Sequence, residues 1–159
     1  MTSDGREGLS EVETSGTGVR AGASLPRMLL FGVGGRVYGC EIEVVREIVP
    51  FRRCTRLPGA PPFVCGLTNL RGTLVTVLDM GLRLGGAAVN RTDGSVVLVE
   101  YGQKVVGLGV DEVRDVQSVT GGGDGAPSDG GGVVRGVGRA GETVVVLLDV
   151  PALVRQVLL

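Results

Sequence analysis

Gly66 to Asp79 reads GLTNLRGTLVTVLD, and the fold is decided in this stretch. From Thr73 to Leu78 almost every position is apolar or β-branched, the pattern of a strand buried on both faces. The residues before it form the preceding strand, turned back at Arg71-Gly72, where glycine supplies the positive φ that a tight hairpin needs. Asn69 can brace such a turn by bonding nearby backbone groups. Arg71 is left at the hairpin tip with a planar, permanently charged fork.

The rest of the composition agrees with a β-rich chain. Its 159 residues make one domain or two small ones sharing a core. Hydrophobic residues reach 43% and aromatics only 3%, so the interior is built of Val and Leu, which favours strands. The 29 glycines are far above the usual ~7% and call for many turns and a low-complexity segment. A net charge of −1 recommends neither nucleic acid nor an anionic membrane as partner. No apolar run approaches the ~18 residues of a membrane span, and the acidic N-terminus is no secretory signal, so the cytoplasm is the expected compartment. Histidine is absent, which removes the commonest general base, the commonest zinc ligand and every His-dependent triad. This is the strongest argument in the composition against an ordinary hydrolase, and no cofactor or metal site is expected. Cys40, Cys54 and Cys65 are odd in number and unlike a metal site in spacing.

Residues 1–27 are polar and aperiodic and read as a disordered tail, with order expected from Met28. MLLFGV, Gly34-Gly35 and RVYGCEI then read as a hairpin. A short helical turn at Glu43–Arg46, a strand at Glu47–Phe51 and a proline-bearing loop at Arg52–Pro62 follow. The hairpin of the opening stretch comes next, then a short helix over Asp79–Leu84 with Asp79 at its N-cap.

After a turn at Asn90–Gly94 the pattern repeats. Gly39 falls on Gly107, Val45 on Val113 and Arg46 on Arg114, each 68 positions apart. Beyond the loops the offset is 70, pairing Gly66 with Gly136, Leu78 with Leu148 and Asp79 with Asp149. This is an internal duplication, and five short strands per copy make a small barrel. The expected architecture is all-β, two packed five-stranded barrels with short helices, over residues 28–85 and 86–159. Gly121–Gly132, GGGDGAPSDGGG, takes the place of the proline loop and reads as a mobile, solvent-facing linker. NLRG has no counterpart in the second copy, where Arg139-Ala140-Gly141-Glu142 stands instead. The fold does not need NLRG.

YGCEIEVVREI, LPGAPPFVCGLTNLRG with its following TLVTVLD, VVGLGVDEVRDV and RGVGRAGETVVVLLDV together resemble the CheW-like coupling-protein family of bacterial chemosensory systems. The resemblance covers about Leu29 to Leu158. It implies a pair of SH3-like barrels and a scaffold, not a catalyst. Such a scaffold binds a chemoreceptor's cytoplasmic tip and the regulatory, CheW-like domain of a sensor histidine kinase, in the cytoplasm or in receptor arrays at the membrane. Nucleic acid and direct membrane insertion have no part in it. The receptor-binding positions implied here are Val45, Glu47, Gly66, Arg71, Val113 and Val116 in the groove between barrels, with Asn69 from the same turn. Thr76 and Met80 depart from the family's usual Pro and Leu. The departures fit a diverged paralogue that binds kinase or receptor without coupling them.

Each feature also has a plainer reading. Arg71 can tie its turn through an ion pair with Asp79 or Glu47. Val45, Ile48, Val113 and Val116 can be core, or apolar anchors for a helix laid in a groove. Arg46, Arg52, Arg53 and Arg56 make a basic cluster that is either a solvated face or a steering patch. The cysteines read as small buried hydrophobes, and Cys54, beside Arg53 and Arg56, is the one with a route to a lowered pKa and a thiol-based redox role.

Overall fold

The computed structural model describes residues 26–121 and 132–157. The expected disordered tail falls outside these residues except at its last two, and the expected glycine linker falls outside them between its ends. The first strand opens at Arg27, one residue before the expected Met28, because Arg27 already pairs with Ser118.

Eleven strands and two helices make up the described residues. The first hairpin is β1 (Arg27–Val33) and β2 (Arg36–Glu41), followed by a 3-10 turn at Ile42–Val44 and β3 (Val45–Pro50). The opening stretch forms β4 (Val64–Leu70) and β5 (Thr73–Asp79), and α1 is Met80–Arg83. The second copy supplies β6 (Ser95–Tyr101), β7 (Lys104–Val110), β8 (Glu112–Ser118), the two-residue β9 (Thr120–Gly121), β10 (Val134–Ala140), β11 (Thr143–Leu148) and α2 (Val150–Val157). The chain is mostly strand, folded as two SH3-like barrels.

Strand pairing divides the chain otherwise than the duplication does. One sheet has the order β3-β6-β7-β5-β4 and the other β8-β1-β2-β11-β10-β9. Each sheet therefore joins the opening hairpin of one copy to the later strands of the other, through parallel pairs β5–β7 and β2–β11. The expected barrels at 28–85 and 86–159 are corrected accordingly. One barrel is the continuous middle of the chain, residues 45–110, and the other is built from both ends. Charge follows this division. Residues 45–110 carry 8 basic and 4 acidic side chains, the rest of the chain from Pro26 onward 6 and 9.

The cores obey the same exchange. Met28, Leu30, Val145 and Leu147 fill one barrel with Val119 and Ala140. Val96, Leu98, Val75 and Val77, their counterparts at offsets of 68 and 70, fill the other with Cys65. A third and larger cluster lies between the barrels and takes Leu29, Phe31 and Tyr38 from one sheet and Leu78, Val97, Val99 and Leu108 from the other. Leu153 and Val154 of α2 and Met80 of α1 complete it. At about 1.5–3 kcal/mol per buried aliphatic side chain, this shared layer makes the barrels one folding unit.

In β5 the alternation is partial. Val75, Val77 and Leu78 are buried, but Leu74 is 64% exposed, so the strand's first half has one solvent-facing side. At its end Asp79 is fully buried. Asp79 Oδ1 accepts from the Leu82 amide at 3.0 Å, capping α1, and the carboxylate also accepts from the Val89 amide and from Arg91 Nη2 at 2.9 Å. Asp149 caps α2 in the same way through the Ala152 amide. The equivalence extends to the backbone, where Asp79 N–H donates to Phe63 and Asp149 N–H to Val133.

Candidate functional site

The β4–β5 turn has two residues, and both have positive φ: 52° at Arg71 and 86° at Gly72. That geometry matches the right-handed twist of the flanking strands but is unfavourable for a side-chain-bearing residue. Asn69 Oδ1 accepts from the Gly72 amide at 2.9 Å and stabilises the turn from within. Arg71 then reaches across to β3. Its Nη1 donates to Glu47 Oε1 at 2.6 Å and its Nη2 to Glu47 Oε2 at 2.5 Å. Of the two partners open to Arg71, Glu47 holds it. Asp79 is taken by Arg91.

This bidentate pair has a definite place in the barrel. β3 and β4 are the two edges of the five-stranded sheet, and the pair fastens one edge to the hairpin that carries the other. The Arg71 side chain stays 73% exposed and Glu47 29%. Its hydrogen bonds from Arg71 hold the Glu47 carboxyl below its ordinary pKa of 4.5. Among the described residues the second barrel has no equivalent pair. Gly141 stands at the corresponding tip, and Asp115, the counterpart of Glu47, accepts from Gln117 of its own strand.

The other expected positions fall into two groups. Val45 lies two residues before Glu47 on β3, opposite Val99, and packs half-buried on the central cluster. Val113 and Val116 lie on β8, opposite Phe31 and Leu29, and pack on that same cluster from the other barrel. Core and surface readings therefore hold together for these valines, each having one side on the shared interior. Ile48 is 42% exposed. Gly66 is buried and faces the proline loop, where a Cβ would stand 2.2 Å from the Thr55 carbonyl oxygen. Thr55 and Leu67 exchange backbone hydrogen bonds of 2.7 and 2.8 Å, so this close approach is what requires glycine.

Sequence reasoning missed two features. Leu74 and Val144, 70 positions apart, are both large, apolar and exposed. Period-2 alternation from the buried Val75 and Val145 places them outside. The Asp79–Arg91 pair was missed because Arg91 belongs to an irregular turn without periodicity. The alternative reading of Cys54 as an activated thiol has no support: burial, then a hydrogen bond with the neighbouring Cys65, pushes its thiol up to about 12. Cys40, buried in the central cluster, is likewise pushed up to about 12 by burial.

The Arg71–Glu47 pair is bidentate and exposed, and Val45 lies two residues from Glu47 on the same strand. Among the described residues no helix is long and apolar enough to cross a membrane. Residues 27–158 match the CheW-like domain family. The chain is 34% identical over 131 residues to the chemotaxis protein CheW of Klebsiella aerogenes, covering 79% of each chain. It is 35% identical over 94 residues to that of Bacillus subtilis, covering 58% of this chain and 60% of the relative. The crystal structure of the scaffolding protein TtCheW from Thermoanaerobacter tengcongensis superposes with a TM-score of 0.70 at 24% identity, covering 78% of this chain and 88% of that one. The chain belongs to the CheW-like domain family, a family of chemotaxis scaffold proteins rather than enzymes.

Proposed function

We propose that this chain is a non-catalytic coupling scaffold. It holds the cytoplasmic tip of a chemoreceptor and the regulatory, CheW-like domain of a sensor histidine kinase in one complex, in the cytoplasm and at receptor arrays. The observation that carries the reading is the Arg71–Glu47 pair, present in one copy of the duplication only and left exposed after it has fastened the barrel. A structural tie would serve both barrels. This one supports a contact the fold itself does not need.

Receptor binding is assigned to Val45, Glu47, Gly66, Asn69, Arg71, Val113 and Val116. Glu47, Asn69 and Arg71 form the polar part, Val45 with Val113 and Val116 the apolar anchors, and Gly66 seats the loop behind them. A helical receptor tip with apolar residues at i, i+3, i+4 and i+7 and an acidic or amide group opposite Arg71 suits such a surface. The test is size-exclusion chromatography of the chain with a receptor cytoplasmic fragment and a kinase regulatory domain, alone and together. A ternary peak supports coupling. Complexes with the kinase domain only would place the chain as a diverged paralogue that does not couple.

A further inference from the structure

Four arginines converge on one cavity of the middle barrel. The cavity, about 380 Å³, is bounded by Arg52, Arg53 and Arg56 from the proline loop and by Arg91 from the turn that joins the two copies. No carboxylate lines it. Outside the cavity Arg46 pairs with Glu100 and Arg71 with Glu47, and at its wall Arg91 pairs with the buried Asp79. Among the described residues Arg52, Arg53 and Arg56 have no ion-pair partner.

Arg91 and the backbone of the loop are held in place. Arg91 donates to the buried Asp79 and lies over the Phe51 ring at 5.9 Å, so one guanidinium is oriented in advance. The loop bearing the other three is tied to β4 by the two Thr55–Leu67 hydrogen bonds and seated by Gly66 under the Thr55 carbonyl. Cys54 at the cavity wall is a neutral thiol and adds no competing negative charge. The fold does not ask for these arginines. At the same offset the second copy has residues 120–126, TGGGDGA, with no basic residue.

We propose that this cavity binds a small phosphate-bearing anion, and that it prefers two linked phosphate groups to one. Guanidinium forks match phosphate oxygens in pairs, and three unpaired forks beside Arg91 suit two linked phosphates better than one. The volume lies within the range of small-ligand pockets and is too small for a folded partner. None of its residues is among those assigned to receptor binding, although Arg52 and Arg53 also border the neighbouring depression that holds Asn69, and the proposal does not rest on the coupling reading.

The experiment is isothermal titration of the full chain with pyrophosphate and, separately, inorganic phosphate, at constant ionic strength set with chloride. Saturable one-to-one binding of pyrophosphate, tighter than phosphate, is expected. The double variant Arg53→Gln/Arg56→Gln loses at least about ten-fold in affinity, each lost pair being charge-assisted. Arg46→Gln, whose guanidinium is engaged with Glu100, binds as the wild type does. Should the double variant fail to fold, pyrophosphate must still protect Arg53 and Arg56 of the wild type from phenylglyoxal, read by peptide mass spectrometry. Absence of saturable binding, binding unchanged in a folded double variant, or no protection overturns the site. Equal affinity for the two anions overturns the preference for linked phosphates.

Discussion

Arg71 and Glu47, one at a hairpin tip and the other on an edge strand 24 residues earlier, share two parallel hydrogen bonds across the open seam of a five-stranded barrel. The pair fixes the guanidinium plane while leaving most of it in solvent. An arginine held in this way loses little freedom when a partner's carboxylate or amide reaches it.

The turn under Arg71 separates conformation from charge. At φ 52° a non-glycine residue is strained, and Arg71→Gly relieves that strain while removing the fork. Arg71→Gly should melt no lower than Arg71→Ala, and both should keep the wild-type circular dichroism spectrum. Receptor capture should fall equally in the two. A Gly variant that recovered binding would assign the effect to the turn's shape.

The depressed pKa of Glu47 sets a pH window. Because the folded value lies below 4.5, the pair's contribution is whole above that pH and fades as pH falls through the folded value. Carbon-detected NMR titration should show the Glu47 midpoint below that of ordinary glutamates in the wild type. In Arg71→Ala the midpoint should move up, its largest cause having been removed.

Gly66→Ala tests the loop. The new Cβ would collide with the Thr55 carbonyl at 2.2 Å in a backbone at φ 142°, and the loop must lift from β4. Urea unfolding should show a loss of about 3 kcal/mol. The same variant should weaken receptor capture through the displaced loop, whereas Arg71→Ala should do so with the fold and the loop in place.

Asp79→Ala removes the cap of α1 and the buried partner of Arg91, and it orphans the Val89 amide. A loss of about 3 kcal/mol is expected in chemical denaturation. Val75→Asp, a charge placed in the closed core of the middle barrel, should leave no cooperative transition at all. Retained cooperativity there would mean that the barrel tolerates an open core.

The local elements were legible because each rests on neighbours in sequence. The Gly34-Gly35 and Arg71-Gly72 turns, the Asp79 cap and the repeat offset all came from spacing and residue type. The exchange of hairpins between barrels was not legible, and the duplication itself is the reason. Met28 and Val96 carry the same pattern at the same offset, so seating either hairpin against Val75 and Val77 buries an equivalent set of side chains. The parallel pairs Thr76–Val106 and Val146–Tyr38, with the antiparallel pairings of β3 to β6 and β1 to β8, distinguish the two arrangements, and these are long-range contacts. Within the candidate site, alternatives for Arg71 stayed open because both Glu47 and Asp79 were acidic and near. The buried Asp79–Arg91 pair decided between them.

The most direct test of the coupling account is a paired capture experiment. Wild-type and Arg71→Ala proteins, matched in circular dichroism, are presented to a chemoreceptor cytoplasmic fragment and, separately, to a histidine-kinase regulatory domain. The account predicts that the wild type captures both and that the variant keeps the kinase domain while losing the receptor. Equal receptor capture by the two proteins would contradict it and leave the Arg71–Glu47 pair as a fastening of the barrel seam.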